Sequence, residues 1–342
     1  MDENAVDERS GGPQDLPRLT PASAASETPR PKVSVIVPSY NSRKTIAACL
    51  DSLASQTIAA EIEVIVVDSS RDGSEEFIRA SYPSVSLIHR TGLLLPGAAR
   101  NLGVELARGP IIAFIDADCV APEGWLVALI GTLRPDRQLV GGSVGLLDPV
   151  NLIEVADYIL TFNEFSPRTP ARDVISLPGA NLACMRAFFT EIGGFPGALA
   201  SGEDMVFTSR SSERTSIAFN PSAVVYHKNR GTLRSFLAHH HRFGIYSATI
   251  RLSERLPGSV LARRPWLSPA APILRAARIA LRAIARDRQL LRQAIGVLPL
   301  VVMGIAAWGV GFVRASFLRS RASPVPPSAS DPPSTVIPDG GS

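Results

Sequence analysis

The chain has 342 residues, 45% of them hydrophobic and only 19% charged, with a formal charge of +4 and a slightly positive mean hydropathy of +0.15. That is enough chain for one large domain with appendages or for two ordinary domains, and it is oilier than a fully soluble enzyme usually is. No basic patch with interleaved aromatics accompanies the charge, which argues against a nucleic-acid partner, and Cys49, Cys119 and Cys184 lack any CxxC spacing and read as reduced, cytosolic and buried.

Residues 1–31 are polar, acidic and rich in Pro and Ser, without the apolar run of a signal peptide, and read as a disordered tail. From Lys32 the texture changes. VSVIVPSY, EVIVVDSS and PIIAFIDAD are apolar, largely β-branched runs, the pattern of strands buried on both faces. TIAACLDSLASQ lies between the first two and carries Ile46, Cys49, Leu50 and Leu53 at helical spacing, so strand, helix and strand form a parallel βαβ unit. A helix is expected from Gly97 to Ala107, and Asp72 or Ser74 can cap another that runs through Phe77 and Arg79.

The strands end in polar residues, where ligands of parallel sheets collect. In FIDADCV, Asp116 and Asp118 stand one residue apart at such an exit. Two carboxylates there are costly unless a turn or a hard cation satisfies them, and Mg2+ or Mn2+ with phosphate oxygens and water fits a D-x-D. Asp68 ends the second strand, where a carboxylate can accept from a ribose or base. No G-x-G-x-x-G is present, which argues against a nicotinamide cofactor. In LPGAARNLG, Arg100 can fork a phosphate or simply belong to a loop and helix start. Glu203 and Asp204 precede Val206 and Phe207, either as a favourable helix start or, for a carboxylate beside a bound hydroxyl, as a general base.

Toward the C-terminus, Arg275, Arg278, Arg282 and Arg286 make one stripe of a helix flanked by Leu274, Ala277, Leu281 and Ile284. Residues 256–294 thus read either as a basic amphipathic region on an anionic membrane surface, guanidiniums at headgroup level, or as a helix with a solvated face. Ile295 to Val313 is free of charge for about 19 residues, roughly 28 Å as a helix, and is expected to be a transmembrane helix. Residues 314–342 read as a second loose tail.

Taken in order, VSVIVPSYN, EVIVVDSSRDGS, GAARNLG, FIDADC, PGANLACMR, GGF, GEDMVF and VVYH resemble the family-2 glycosyltransferases of the GT-A fold. The resemblance implies a single α/β domain over residues 32–255, a Rossmann-like, mostly parallel mixed sheet flanked by helices, that moves a hexosyl group with inversion from a nucleotide-diphosphate sugar. It implies Pro38, Tyr40, Asp68, Arg100 and Asp116 as donor-binding residues and Gly179, Asn181 and Glu203 as acceptor contacts. Asp204 becomes the base, and Asp118 with His227 the holders of Mg2+ or Mn2+; His227 reads equally as a partly buried side chain.

The DSSRDGS segment is one residue shorter than the commoner form with paired aspartates, and the Q-x-x-R-W of processive synthases has only HHHRFG, residues 239–244, in its place. Transfer of one sugar to a lipid-linked or membrane-adjacent glycan acceptor is therefore expected, with membrane lipids as partners and the domain on the cytoplasmic face. The alternatives are a catalytically silent nucleotide-sugar-binding membrane protein and a nucleotidyltransferase.

Overall fold

A computed structural model describes residues 31–319. The expected N-terminal tail, apart from Pro31, and the C-terminal tail beyond Arg319 lie outside the described residues.

Nine strands among the described residues form one mixed sheet. They are β1 (Val33–Ser39), β2 (Ile62–Asp68), β3 (Ser86–His89), β4 (Ile111–Ile115), β5 (Cys119–Val120), β6 (Leu139–Leu146), β7 (Arg172–Val174), β8 (Asn181–Met185) and β9 (Ile217–His227). The spatial order is β3-β2-β1-β4-β8-β6-β9-β5, with β7 also on β9. β3, β2, β1 and β4 run parallel, while β8 turns antiparallel between β4 and β6.

Twelve helices flank the sheet: α1 (Ile46–Ala54), α2 (Ser74–Ser81), α3 (Pro96–Leu106), α4 (Trp125–Ile130), α5 (Leu152–Phe162), α6 (Arg186–Ile192), α7 (Glu203–Ser212), α8 (Leu233–Ser253), α9 (Ser259–Arg263), α10 (Ala270–Arg286), α11 (Arg288–Gly296) and α12 (Leu298–Arg319). The alternation of a strand splits β1 between two cores. Val33, Val35 and Val37 pack with Ile46, Leu50 and Leu53 of α1 on one face. Ile36 joins Ile112, Phe114, Phe188, Phe195 and Phe207 on the other. At about 25 cal/mol per Å2 of apolar area, each such fully buried side chain contributes on the order of 1.5–3 kcal/mol. The parallel strands all point their carboxyl ends at one edge of the sheet, where Ser39, Asp68 and Asp116 sit.

The C-terminal helices differ from the sequence expectation in two ways. The apolar segment is broken at Val297, so Ile295 ends in α11, and α12 then continues past Val313 to Arg319. That helix is long and apolar enough to cross a membrane. It is nevertheless no lone rod: Val301, Trp308, Phe312 and Ala315 are buried along one side. Gly304 packs on Leu160 and Phe236, and a methyl on Gly244 of α8 would lie 2.0 Å from the Trp308 carbonyl oxygen, so glycine is what permits this close crossing. Secondly, α10 keeps only Arg278 and Arg286 of its arginine stripe at the outer surface. Ile273, Leu281 and Ile284 are exposed, while Arg275 and Arg282 face a cavity inside the protein.

Candidate active site

A cavity of about 620 Å3 opens at the carboxyl edge of the sheet, between the ends of β1 and β4, the first turns of α3 and α7, and the middle of α8. Each wall has a local cause. β1 ends in Pro38 and Ser39, and Asn41 adopts a left-handed φ of 52° that turns the chain over the cavity. Asn41 is fixed by Ser70, whose hydroxyl accepts from its backbone N–H at 2.7 Å. Tyr40 is exposed on this rim.

Asp68 lies beneath the rim rather than on it. It is fully buried and accepts from Ser39 Oγ at 2.6 Å, Ser70 N at 3.1 Å and Ser70 Oγ at 2.5 Å, with His89 Nδ1 2.8 Å away. Its oxygens hold the rim strands together, and it stands behind the residues that line the cavity. Asp72 does cap α2, accepting from Ser74 N at 3.2 Å.

After β4 the chain turns through Asp116 and Asp118, and the two-residue β5 pairs Cys119 opposite His227 at the end of β9. That pairing brings together side chains far apart in sequence. His227 Nε2 lies 3.4 Å from Asp118 Oδ2. Burial alone would raise the Asp118 carboxyl, but His227 and then Arg230 hold it below the ordinary range. Burial lowers the His227 imidazole, and Asp118 overrides this to raise it. The Asp118 side chain is 42% exposed and lines the cavity, with the buried His227 imidazole directly behind it. This donor set fits a divalent cation whose remaining positions are filled by phosphate and water.

Asp116 faces a different partner. Arg100, 3% exposed on α3, donates from Nη2 to Asp116 Oδ1 at 2.6 Å and from Nη1 to Glu203 Oε1 at 2.6 Å. Burial raises both carboxyls, Arg100 opposes this, and Asp118 and Asp204 respectively add repulsion. Arg100 thus forks two carboxylates rather than standing free for a phosphate. Glu203 is 6% exposed, held in that clamp, and lines the cavity.

Asp204 follows at the first turn of α7. Its Oδ2 accepts from Gly179 N at 2.9 Å and its Oδ1 from Met205 N at 2.7 Å. Each carboxylate oxygen keeps a further acceptor position toward the cavity. Gly179 is a close-approach position, since a methyl there would lie 3.1 Å from Arg100 Cζ and 3.3 Å from Asp204 Cβ. Asn181, expected as an acceptor contact, is the first residue of β8. It is fully buried, accepts from Trp125 Nε1 at 2.8 Å, and donates to the Ser143 and Ala223 carbonyls. It ties β8 to β6 and β9 and does not line the cavity.

The geometry adds residues that the sequence reading did not single out: Lys228, Arg230, His239 and Phe243 all line the cavity. The first two directly follow VVYH, so a basic pair after the strand-end histidine was the available signal. Arg230 Nη1 is 3.4 Å from Asp157 Oδ2, and Asp157, His239 and His240 form a group whose spacing could hold a metal. Arg230 and the Asn229 amide, 3.2 Å from the same oxygen, serve Oδ2, while Asp157 Oδ1 and both His240 ring nitrogens have no hydrogen-bond partner among the described residues, so this group is a second candidate for a cation.

Comparison with known proteins agrees with this arrangement. Residues 34–189 match the model described as Glycosyl transferase family 2. The chain is 33% identical over 194 residues to Glycosyltransferase AglE of Haloferax volcanii, a stretch covering 54% of this chain and 62% of that protein. It is 29% identical over 219 residues to the pre-mycofactocin glycosyltransferase of Mycobacterium tuberculosis, covering 60% of this chain and 44% of the relative. The match thus spans about half to three fifths of these relatives' lengths. Among solved structures, the mannosyltransferase PcManGT of Pyrobaculum calidifontis, in complex with GDP-Man and Mn2+, superposes with a TM-score of 0.55 at 21% identity, covering 85% of this chain and 87% of that one. Sheet order and sequence matches point the same way: residues 34–189 match glycosyl transferase family 2, on a GT-A-like fold shared with PcManGT.

Proposed function

We propose that the protein is an inverting hexosyltransferase that moves one sugar from a nucleotide-diphosphate sugar to a hydroxyl of a lipid-linked acceptor. The observation that carries this reading is the convergence of Asp116, Asp118 and Asp204 on one cavity of about 620 Å3, with His227 beside Asp118. The cavity is large enough for a nucleotide sugar. Relatives that are glycosyltransferases support the reaction class, and the Mn2+ in PcManGT supports a divalent cofactor.

In this reading the donor lies along the carboxyl edge of the sheet, with the base near Pro38 and Tyr40 and the diphosphate near Asp116 and Asp118. Asp118 and His227 would hold Mg2+ or Mn2+, which when bound supplies positive charge to the diphosphate. Arg100 keeps Asp116 oriented. Lys228 and Arg230, on the same wall, add cationic character where negative charge grows. Asp204, fixed by two backbone N–H groups, takes the proton of the acceptor hydroxyl as its oxygen bonds to the anomeric carbon. The carbon–oxygen bond to the diphosphate breaks with its electron pair leaving on the phosphate, and attack from the opposite face inverts the centre. The exposed apolar residues of α10 and α12 support membrane association, and the three buried free cysteines support a place on the cytoplasmic face.

Thermal unfolding with UDP-, GDP- and dTDP-sugars, each with and without Mn2+, tests the reading. One donor class should raise the melting temperature in a Mn2+-dependent way, because a ligand that binds only the folded form stabilises it. No stabilisation by any donor would reject it, and stabilisation without sugar transfer would leave a silent binding protein.

A further inference from the structure

Helix α10 buries Ile279 and Ala283 and exposes Arg278 and Arg286, yet it also carries an outward apolar stripe, unlike a helix on a water-soluble domain. Such a helix buries its apolar stripe and exposes its charges. Here Ile273, Leu281 and Ile284, at 71%, 64% and 58% exposure, point outward. On the neighbouring α12, Val302 and Val310 do the same at 56% and 61%. An outward apolar face of this kind is stable when the surrounding medium is hydrocarbon.

The arginines of α10 line a second cavity, of about 780 Å3, together with Arg251 of α8 and Arg172 of β7. Its acidic lining is Glu164 and Asp173. Glu164 pairs with Arg282 at 2.6 Å and lies 3.8 Å from Arg172, and Asp173 pairs with Arg137. Among the described residues, Arg251, Arg275, Arg278 and Arg286 have no carboxylate partner within ion-pair distance; Arg278 and Arg286 are exposed at the cavity's edge, and Arg251 and Arg275 are held inside it. Arg275 donates to the Leu160 carbonyl at 2.8 Å and stacks 4.7 Å from the Trp308 ring centroid, and Arg251 donates to the Ser247 and Pro257 carbonyls. Burial, then repulsion from Arg251, lowers Arg275 to about 9, and burial, then Arg278, lowers Arg251 to about 10, so both remain charged at neutral pH and press on one another. Guanidiniums held in place by backbone oxygens and aromatic faces, with too few anions, form a site for an oxyanion.

The cavity also adjoins the donor site. Thr161, Phe165, Ser176, Met205 and Phe243 line both, and Met205 directly follows Asp204. We propose that this arginine cavity binds the phosphate or diphosphate of a lipid acceptor, on Arg251, Arg275 and Arg278, while the lipid chain leaves across the outward apolar faces of α10 and α12. The phosphate serves as an anchor and the nucleophile remains a hydroxyl near Asp204, so this deepens the proposed function and rests on it.

The test needs no donor and therefore fails or succeeds separately from that reading. Full-length protein in dodecyl maltoside is titrated with dodecyl phosphate, and separately with inorganic pyrophosphate, while its melting temperature is followed. Dodecyl phosphate should stabilise it saturably. Arg275→Gln with Arg278→Gln should weaken that binding by about tenfold or more, as expected for lost charged hydrogen bonds. Arg278→Gln alone, an exposed change, should weaken it in the same direction if the double variant folds poorly. Arg288→Gln, exposed and outside the cavity, should bind like the parent. Absence of saturable binding, equal affinity for pyrophosphate, or an equal loss in Arg288→Gln would each overturn the proposal. The last two would assign the effect to a free anion and to general surface charge, respectively.

Discussion

Arg100 Nη2 sits 2.6 Å from Asp116 Oδ1, and this contact turns a buried cation into the orienting element of the site. The same guanidinium holds Glu203 at 2.6 Å. Removing it leaves two carboxylates facing one another in a cavity floor. Arg100→Gln should cost about 3–5 kcal/mol, the range for breaking a buried ion pair from one side, read as a lower urea midpoint. Glu203→Gln keeps an acceptor for Arg100 and should cost about 1–2 kcal/mol. An Arg100→Gln midpoint equal to the parent's would mean the clamp contributes nothing to folding.

Asp204→Asn preserves the shape around Gly179 and removes the proton acceptor. Donor affinity measured by calorimetry should stay within about twofold, while transfer should fall by about 10²–10⁴, the scale of general-base catalysis. Normal turnover in this variant would move the base elsewhere.

Asp118→Asn and His227→Gln should each abolish most of the Mn2+-dependent part of donor stabilisation. The Mn2+-independent part, which comes from the Tyr40 side of the cavity, should survive. A Mn2+ titration that is unchanged in both variants would remove the metal from this position. If Asp157→Asn alone lost the Mn2+ effect, the ion would belong to the Asp157, His239 and His240 group instead.

His239 sets an acid limit. Burial, with Arg230 the next cause, lowers its imidazole to about 3. In the unfolded chain the ring takes a proton near pH 6.5, so between about 6.5 and 3 the unfolded state binds more protons than the folded one. Stability is therefore complete above this window and declines as pH falls through it. His239→Gln should flatten that decline in melting temperature between pH 6.5 and 4. An unchanged slope would mean that other groups carry the acid sensitivity.

Much of this arrangement was legible in sequence, and what was not legible shares a cause. The β-branched runs ending at Ser39, Asp68 and Ile115 identified the parallel strands, and the cost of two carboxylates at a strand exit pointed to Asp116 and Asp118. What a strand-end polar residue does depends on the direction of its side chain. Asp68 and Asn181 point inward and are consumed by hydrogen bonds that only the folded neighbours supply. The arginine stripe on α10 was equally visible, but periodicity reports that two faces differ and not which medium each one meets. The approach of His227 to Asp118 depends on the β5–β9 pairing, which joins positions more than a hundred residues apart and leaves no local trace.

The glycine crossing of α8 and α12 also bears on how the protein can be handled. Because Gly304 seats against Leu160 and Phe236, and Trp308 stacks with Phe312 over Arg275, deleting the last helix would strip a wall from the folded body and bare Phe236. A shortened chain that stops before α10 should precipitate instead of becoming easier to keep in buffer. Detergent screening of the intact polypeptide is accordingly the sounder route to purified material.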